Sequence, residues 1–166
     1  MVCPVRTTAV LLASVAVAIT VTGCASNPGP RVLPPRPAAA DARSDSAVVR
    51  TAMKYLGTPY VLGGTSPSTG FDCSGFVWYV FKQHGVDVPR GVFNQASAGR
   101  HVERSDIRAG DLVFFSTTGP GFTHVGIATS RDSFIHAPNS HGVVRVEPLG
   151  SSYWSQRYAG ARRLMQ

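Results

Sequence analysis

Apolar residues change their spacing partway along the chain. Over 46–57, "SAVVRTAMKYLG", Val48, Ala52, Tyr55 and Leu56 recur at helical intervals; Ser46 can cap the start and Gly57 close the end, which predicts an amphipathic first helix. The following "TPYVLGGTSPSTG" has the Gly, Pro and Ser density of a loop. A second helical run opens at Asp72, a capping residue, with Phe76, Val77, Val80 and Phe81 as its buried stripe and Gly85 as its stop. Beyond residue 110 the segments become short, β-branched or aromatic, and separated by turn residues: 111–115, 124–129, 133–137, 142–149 and 158–165. "QRYAGARR" near the end fits a helix as well as a strand. Two or three helices followed by about five strands predict an α+β domain, with helices segregated against an antiparallel sheet.

The N-terminal quarter has a different character. Arg6 is followed by "TTAVLLASVAVAITV", which carries no charge, and then by "VTGC" and a proline-rich stretch; this is the shape of a secretory signal. The small residue before Cys24 resembles the bacterial lipoprotein signal. Residues 1–23 are therefore expected to be a signal peptide and Cys24 the lipidated first residue of the mature chain. An uncleaved anchor would be short for the roughly 20 residues needed to span a bilayer. "ASNPGPRVLPPRPAAADARSD" cannot bury enough apolar surface to fold, so 24–43 is read as a tether reaching about 50–60 Å when extended. The folded domain is expected over 44–166. The expected location is the cell envelope, on a lipid anchor in a bacterial membrane, the outer membrane facing the periplasm in a Gram-negative cell.

Two further observations refine this picture. The formal net charge of +7 allows an anionic partner, but the Lys and Arg residues are scattered and no nucleic-acid motif accompanies them. Of the three cysteines, Cys3 leaves with the signal and Cys24 carries lipid, so Cys73 is the only free thiol of an exported chain. It stands at the edge of an apolar helical run, where unpaired amides and the helix dipole favour a thiolate and a neighbouring imidazolium would lower its pKa further.

A thiol nucleophile requires a histidine partner. His84 lies about three turns, or about 16 Å, from Cys73 on the same helix and is too distant. His101 and His141 fall in polar loop sequence. His124 and His136 bracket a hairpin joined by Thr129, Ser130 and Arg131; pairing residues whose numbers sum to about 260 sets the two imidazoles directly opposite on one face. In that geometry His124 takes the proton of Cys73 and His136 orients His124. A zinc site from the same three residues is the competing chemistry, but no short-spaced ligand pair is present.

"GTPYVLGGTSPSTGFDCSGFVWYVF", "RAGDLVFF", "THVGIAT", "FIHAP" and "YWSQRYAGARRLM", in this order, resemble the NlpC-type cell-wall cysteine peptidases over residues 46–165. The resemblance implies a papain-like α+β fold, with N-terminal helices on a five- to six-stranded antiparallel sheet. It implies Cys73, His124 and His136 as the catalytic set, with no cofactor and no metal. Tyr60 matches the family tyrosine that helps bind the oxyanion, the Cys73 amide being a second donor, and Asp72 and Ser74 are read as capping residues. After "VPR" this chain has "GVFNQ", where relatives commonly carry Ser or Thr next; that puts substrate contacts by this loop in question. The expected activity is cleavage of peptidoglycan stem peptides, at the γ-D-glutamyl to diamino acid bond or the D-alanyl to diamino acid cross-link. An N-acetylmuramoyl-L-alanine amidase or acyltransferase on the same fold, and a non-catalytic wall-binding module, are the alternatives.

Overall fold

A computed structural model describes residues 47–138 and 141–165. The expected signal and tether, Cys24 and the expected Ser46 cap lie outside them. The described chain runs as α1 (47–53), β1 (Thr65–Ser66), β2 (Gly70–Phe71), α2 (Cys73–Lys82), α3 (Val92–Ala96), β3 (Arg100–Val102), a 3-10 turn (Arg104–Asp106), β4 (Leu112–Phe115), β5 (His124–Ala128), β6 (Ser133–His136), β7 (Arg145–Pro148), α4 (Ser152–Arg157) and β8 (Tyr158–Arg163). Six strands form one sheet in the order β3-β8-β4-β5-β6-β7, every pair antiparallel, and β1-β2 make a separate small hairpin. This is the α+β, papain-like arrangement with its sheet at six strands.

Strand alternation divides the core into two layers. Leu112, Phe114, Val125, Ile127 and Ile135 pack with Phe76, Val77, Val80 and Phe81 of α2 and with Val48 and Ala52 of α1. Their counterparts on the opposite face, Val113, Phe115, Ala128, Phe134 and Ala161, pack with Leu149 and with Trp154 of α4. Burying large side chains on both faces stabilises the sheet by about 1.5–3 kcal/mol for each Phe or Leu so enclosed. A buried fork of Arg163 on Asp111 (2.6 and 2.7 Å) ties β8 to the start of β4, and Asp111 also accepts the Arg108 N–H at 2.9 Å.

Several local expectations are revised. The first helix winds only through 47–53 and then loosens into turns, so Leu56 is exposed rather than buried, and Gly57, left-handed at φ 81°, lies past the helix end with its N–H on the Val144 carbonyl (2.9 Å) instead of closing the helix. The 58–70 loop contains the β1-β2 hairpin. Residues 152–163 satisfy both readings of "QRYAGARR", because α4 ends at Arg157 and β8 begins at Tyr158.

Candidate active site

The Cys73 end of α2 is built by Asp72. Its Oδ1 accepts the Gly75 N–H at 2.7 Å, capping the helix, and its Oδ2 accepts the Gly63 N–H at 2.9 Å, holding the preceding turn. Arg90 then grips the same carboxylate with both terminal nitrogens (2.9 and 2.6 Å), donates to Ser74 Oγ at 2.8 Å and to the Gly64 carbonyl at 3.3 Å. Gln95 of α3 is fully buried and donates to the carbonyls of Ser74 (3.0 Å) and Pro89 (2.7 Å). The "RGVFNQ" segment is therefore structural, since its Arg and Gln fix the turn that carries the cysteine. Burial alone would raise the pKa of Asp72, but the Arg90 and amide bonds together outweigh it and leave the carboxyl below its ordinary value.

Cys73 is buried, with 9 % of its surface exposed. The amides of Val125, Ser74 and Cys73 itself approach the sulfur and favour its anion, but burial, reinforced by the Asp72 charge, dominates and pushes the thiol up to about 11. The Val125 contact places the sulfur at the first residues of β5, beside His124. Tyr60 stands close enough that Cys73, Asp72 and Arg90 all act on its hydroxyl; burial is the largest influence, and its pKa is raised. That hydroxyl remains protonated at neutral pH and keeps a proton to donate.

The histidines differ from expectation in register. β5 and β6 pair Ile127 with Ile135 and Ala128 with Phe134, so partners sum to 262 and not 260. His136 therefore lies across from Gly126, and His124 is its diagonal neighbour. The shift is by two residues, which preserves the face, and the two rings still meet: His124 Nε2 and His136 Nδ1 are 2.7 Å apart. Gly126 permits this. A Cβ there would stand 2.6 Å from the Phe134 ring, 2.9 Å from the Ile135 carbonyl oxygen and 3.1 Å from His136 Cβ. Both imidazoles lie on the α4 face of the sheet, where Trp154 stacks on His124 (centroids 5.6 Å, 25°) and meets His136 edge-on (4.9 Å, 89°). The thiol, at the head of α2, meets β5 at the Val125 amide, one residue on from His124. Among the described residues no hydrogen bond joins the two in this state, and the Nδ1 of His124 is the nitrogen left for such a bond.

Burial sets the charge state of the pair. It pushes His124 down to about 4 against a smaller opposing influence from Glu147, and it depresses His136 further with help from His124 and Arg145. For both the thiol and this imidazole, burial favours the neutral form. Burial thus acts against the thiolate–imidazolium pair expected from the helix terminus and opposes the amides that favour the anion.

Sequence reasoning did not identify Arg90 as the clamp of the Asp72 cap, nor Gln95, Trp154 and Glu147. Glu147, on β7, accepts Arg145 Nε–H at 2.5 Å and Trp154 Nε1–H, and its Oε1 is 3.7 Å from His136 Nε2. The "YW" motif marked Trp154 only as part of a family pattern; no local signal singled out Glu147. Of the remaining histidines, His84 bonds Thr51 Oγ1 at 2.9 Å and exposed His101 pairs with Glu103 at 3.2 Å, both away from this cluster.

Known proteins resemble the chain in sequence and fold. The chain is 44% identical over 130 residues to "Gamma-DL-glutamyl hydrolase" of Bacillus subtilis, covering 77% of this chain and 31% of that protein. It is 38% identical over 128 residues to "Murein DD-endopeptidase MepH" of Escherichia coli, covering 74% of this chain and 47% of that protein. The chain thus spans a third to a half of these relatives' lengths. A crystal structure of an NlpC/P60 family protein from Bacillus cereus superposes with a TM-score of 0.69 at 34% identity, covering 74% of this chain and 40% of that one. With its thiol at the head of α2, its paired imidazoles on β5 and β6, and the NlpC/P60 family model matching residues 57–163, the chain belongs to the NlpC/P60 family.

Proposed function

We propose that this protein is a cysteine endopeptidase of peptidoglycan. The observation that carries the reading is the buried 2.7 Å contact between His124 Nε2 and His136 Nδ1, which leaves His124 Nδ1 for the thiol at the strand end. Cys73 acts by general-base catalysis, a route that burial supports by favouring the neutral thiol and the neutral imidazole. As the sulfur attacks a stem-peptide carbonyl, its proton passes to His124 Nδ1; catalytic hydrogen bonds that are long in the free enzyme tighten at this step. The developing oxyanion receives the Cys73 amide and the Tyr60 hydroxyl. His124 then protonates the leaving amine, and a water molecule deprotonated by the same ring hydrolyses the thioester. His136 holds His124 in orientation throughout.

The names of the relatives support two bonds, a γ-glutamyl linkage and a DD cross-link. The γ-D-glutamyl to diamino acid bond is our first assignment and the D-alanyl to diamino acid cross-link the second. Incubation of the full chain with purified muropeptides, monomeric and cross-linked, followed by mass spectrometry, separates them. Shortened stem peptides from monomers indicate the first, and conversion of cross-linked dimers to intact monomers the second. Release of whole peptides from muramic acid would make the enzyme an amidase, and full activity in Cys73→Ala would refute the mechanism. The sequence pattern at 7–24 further supports export and lipid attachment at Cys24, with 24–43 as tether to an envelope membrane. Cys24→Ala should then move the protein from the membrane to the soluble fraction; unchanged fractionation would count against the anchor.

A further inference from the structure

His136 is fully buried, and its Nε2 has no hydrogen-bond partner among the described residues. A buried polar nitrogen in that condition calls for an explanation. The nearest charged atom is Glu147 Oε1 at 3.7 Å, outside hydrogen-bond range yet inside ion-pair range. That carboxylate is aimed from both sides: Arg145 Nε–H holds Oε1 and Trp154 Nε1–H holds Oε2, while the Trp154 ring itself walls both imidazoles. We propose that Glu147 is a positioning residue, whose carboxylate selects the tautomer of His136 and through it leaves His124 Nδ1 with the lone pair a general base requires.

Proton counting links the three groups. A carboxylate can only accept, so His136 facing it carries its proton on Nε2. His136 Nδ1 is then a bare acceptor, and the bond to His124 requires the proton to lie on His124 Nε2. A neutral His124 protonated there has its lone pair on Nδ1. Reversing the first choice reverses the last: with the proton on His136 Nδ1, His124 is protonated on Nδ1 and cannot take the proton of Cys73. The titratable and charged groups facing His136 are His124 from β5 and Arg145 and Glu147 from β7; Trp154 of α4 and Phe134 of β6 add uncharged surfaces. Arg145 favours a lone pair toward itself and weakens the effect of Glu147, but it also neutralises and orients that carboxylate by direct contact. The inference rests on the proposed roles of Cys73 and His124.

Glu147→Gln tests it, because the amide keeps the shape while removing the charge that favours a proton on His136 Nε2. Histidine-selective ¹⁵N NMR of the full chain at neutral pH should show His124 and His136 both protonated on Nε2. In Glu147→Gln the His136 signal should move toward the Nδ1-protonated form. Muropeptide kcat should fall about 100-fold with KM within about twofold, a smaller loss than direct removal of a triad carboxylate because the effect crosses a second ring. Glu147→Asp should keep the wild-type tautomers and recover much of kcat, which separates positioning from folding, and melting curves of both variants show that they fold. A wild-type His136 protonated on Nδ1, or a Glu147→Gln chain with unchanged tautomers and kcat, overturns the proposal. The NMR readout needs no turnover, so a wild-type chain inactive on muropeptides refutes the endopeptidase reading without deciding this one.

Discussion

Gly75 lies in the first turn of the cysteine helix, and Gly75→Ala sets two effects against each other. Helix propensity favours alanine by about 1 kcal/mol. Against it, the added Cβ falls well inside 3.0 Å of the Gly64 carbonyl oxygen, 3.0 Å from an Arg90 terminal nitrogen and 3.1 Å from Asp72 Oδ1. The worst contact is with backbone, so no change of rotamer relieves it. The Gly64 carbonyl also accepts the Asp72 N–H at 3.2 Å and Arg90 at 3.3 Å, and the adjoining Gly63 N–H bonds Asp72 at 2.9 Å. Moving this turn away sacrifices two or three hydrogen bonds at about 1 kcal/mol each, and moving the helix instead is overpacking at about 1–3 kcal/mol. The net expectation is destabilisation by about 1–2 kcal/mol, a melting point lower by about 3–8 °C in a domain of this size. Cys73 shares the displaced turn, so kcat should fall more than about tenfold. Thermal melts by circular dichroism and muropeptide turnover would be compared with Gly119→Ala, whose Cβ meets nothing within 4 Å. A Gly75→Ala chain that melts at or above wild type with intact turnover would show that propensity alone governs this turn, and would remove the argument for a close-packed cysteine cradle.

Two other measurements follow from the histidine pair. Gly126→Ala forces its Cβ against the Phe134 ring and His136; we expect about 1–3 kcal/mol of destabilisation in denaturant titrations and a disproportionate loss of kcat, whereas equal small losses in both would mean that the imidazoles tolerate the shift. Acid should destabilise the fold early: the unfolded chain binds a proton on His124 near pH 6.5, the folded chain only near 4, so the stability present above 6.5 declines as pH falls through that window, by about 3 kcal/mol for this residue, and His136 acts in the same direction. Flat stability between pH 6.5 and 4 in urea unfolding would contradict that assignment.

The parts of the molecule legible in the sequence are those governed by local periodicity. The stripe of α2, its Asp72 cap and the strands at β4, β5 and β6 all announce themselves within a few residues. The same-face placement of His124 and His136 is legible for a related reason: a period-two pattern survives a two-residue slip, so the wrong register still puts the rings on one face. What stays hidden depends on contacts across long separations. Arg90 meets Asp72 across 18 residues, and Glu147 meets His136 from a strand whose exposed, charged pattern looks like any sheet edge. The thiol's charge state is equally hidden, because a helix terminus is visible in sequence and the degree of burial around it is not.

That burial has a consequence for the chemical lifetime of the protein. Oxidants and alkylating agents react with thiolates, and burial, by raising the Cys73 pKa, lowers the fraction of that thiol ionised at neutral pH. The desolvation that disfavours the thiolate of Cys73 therefore also disfavours its capture by peroxide or a stray disulfide, and among the described residues no second cysteine is present to resolve an oxidised sulfur.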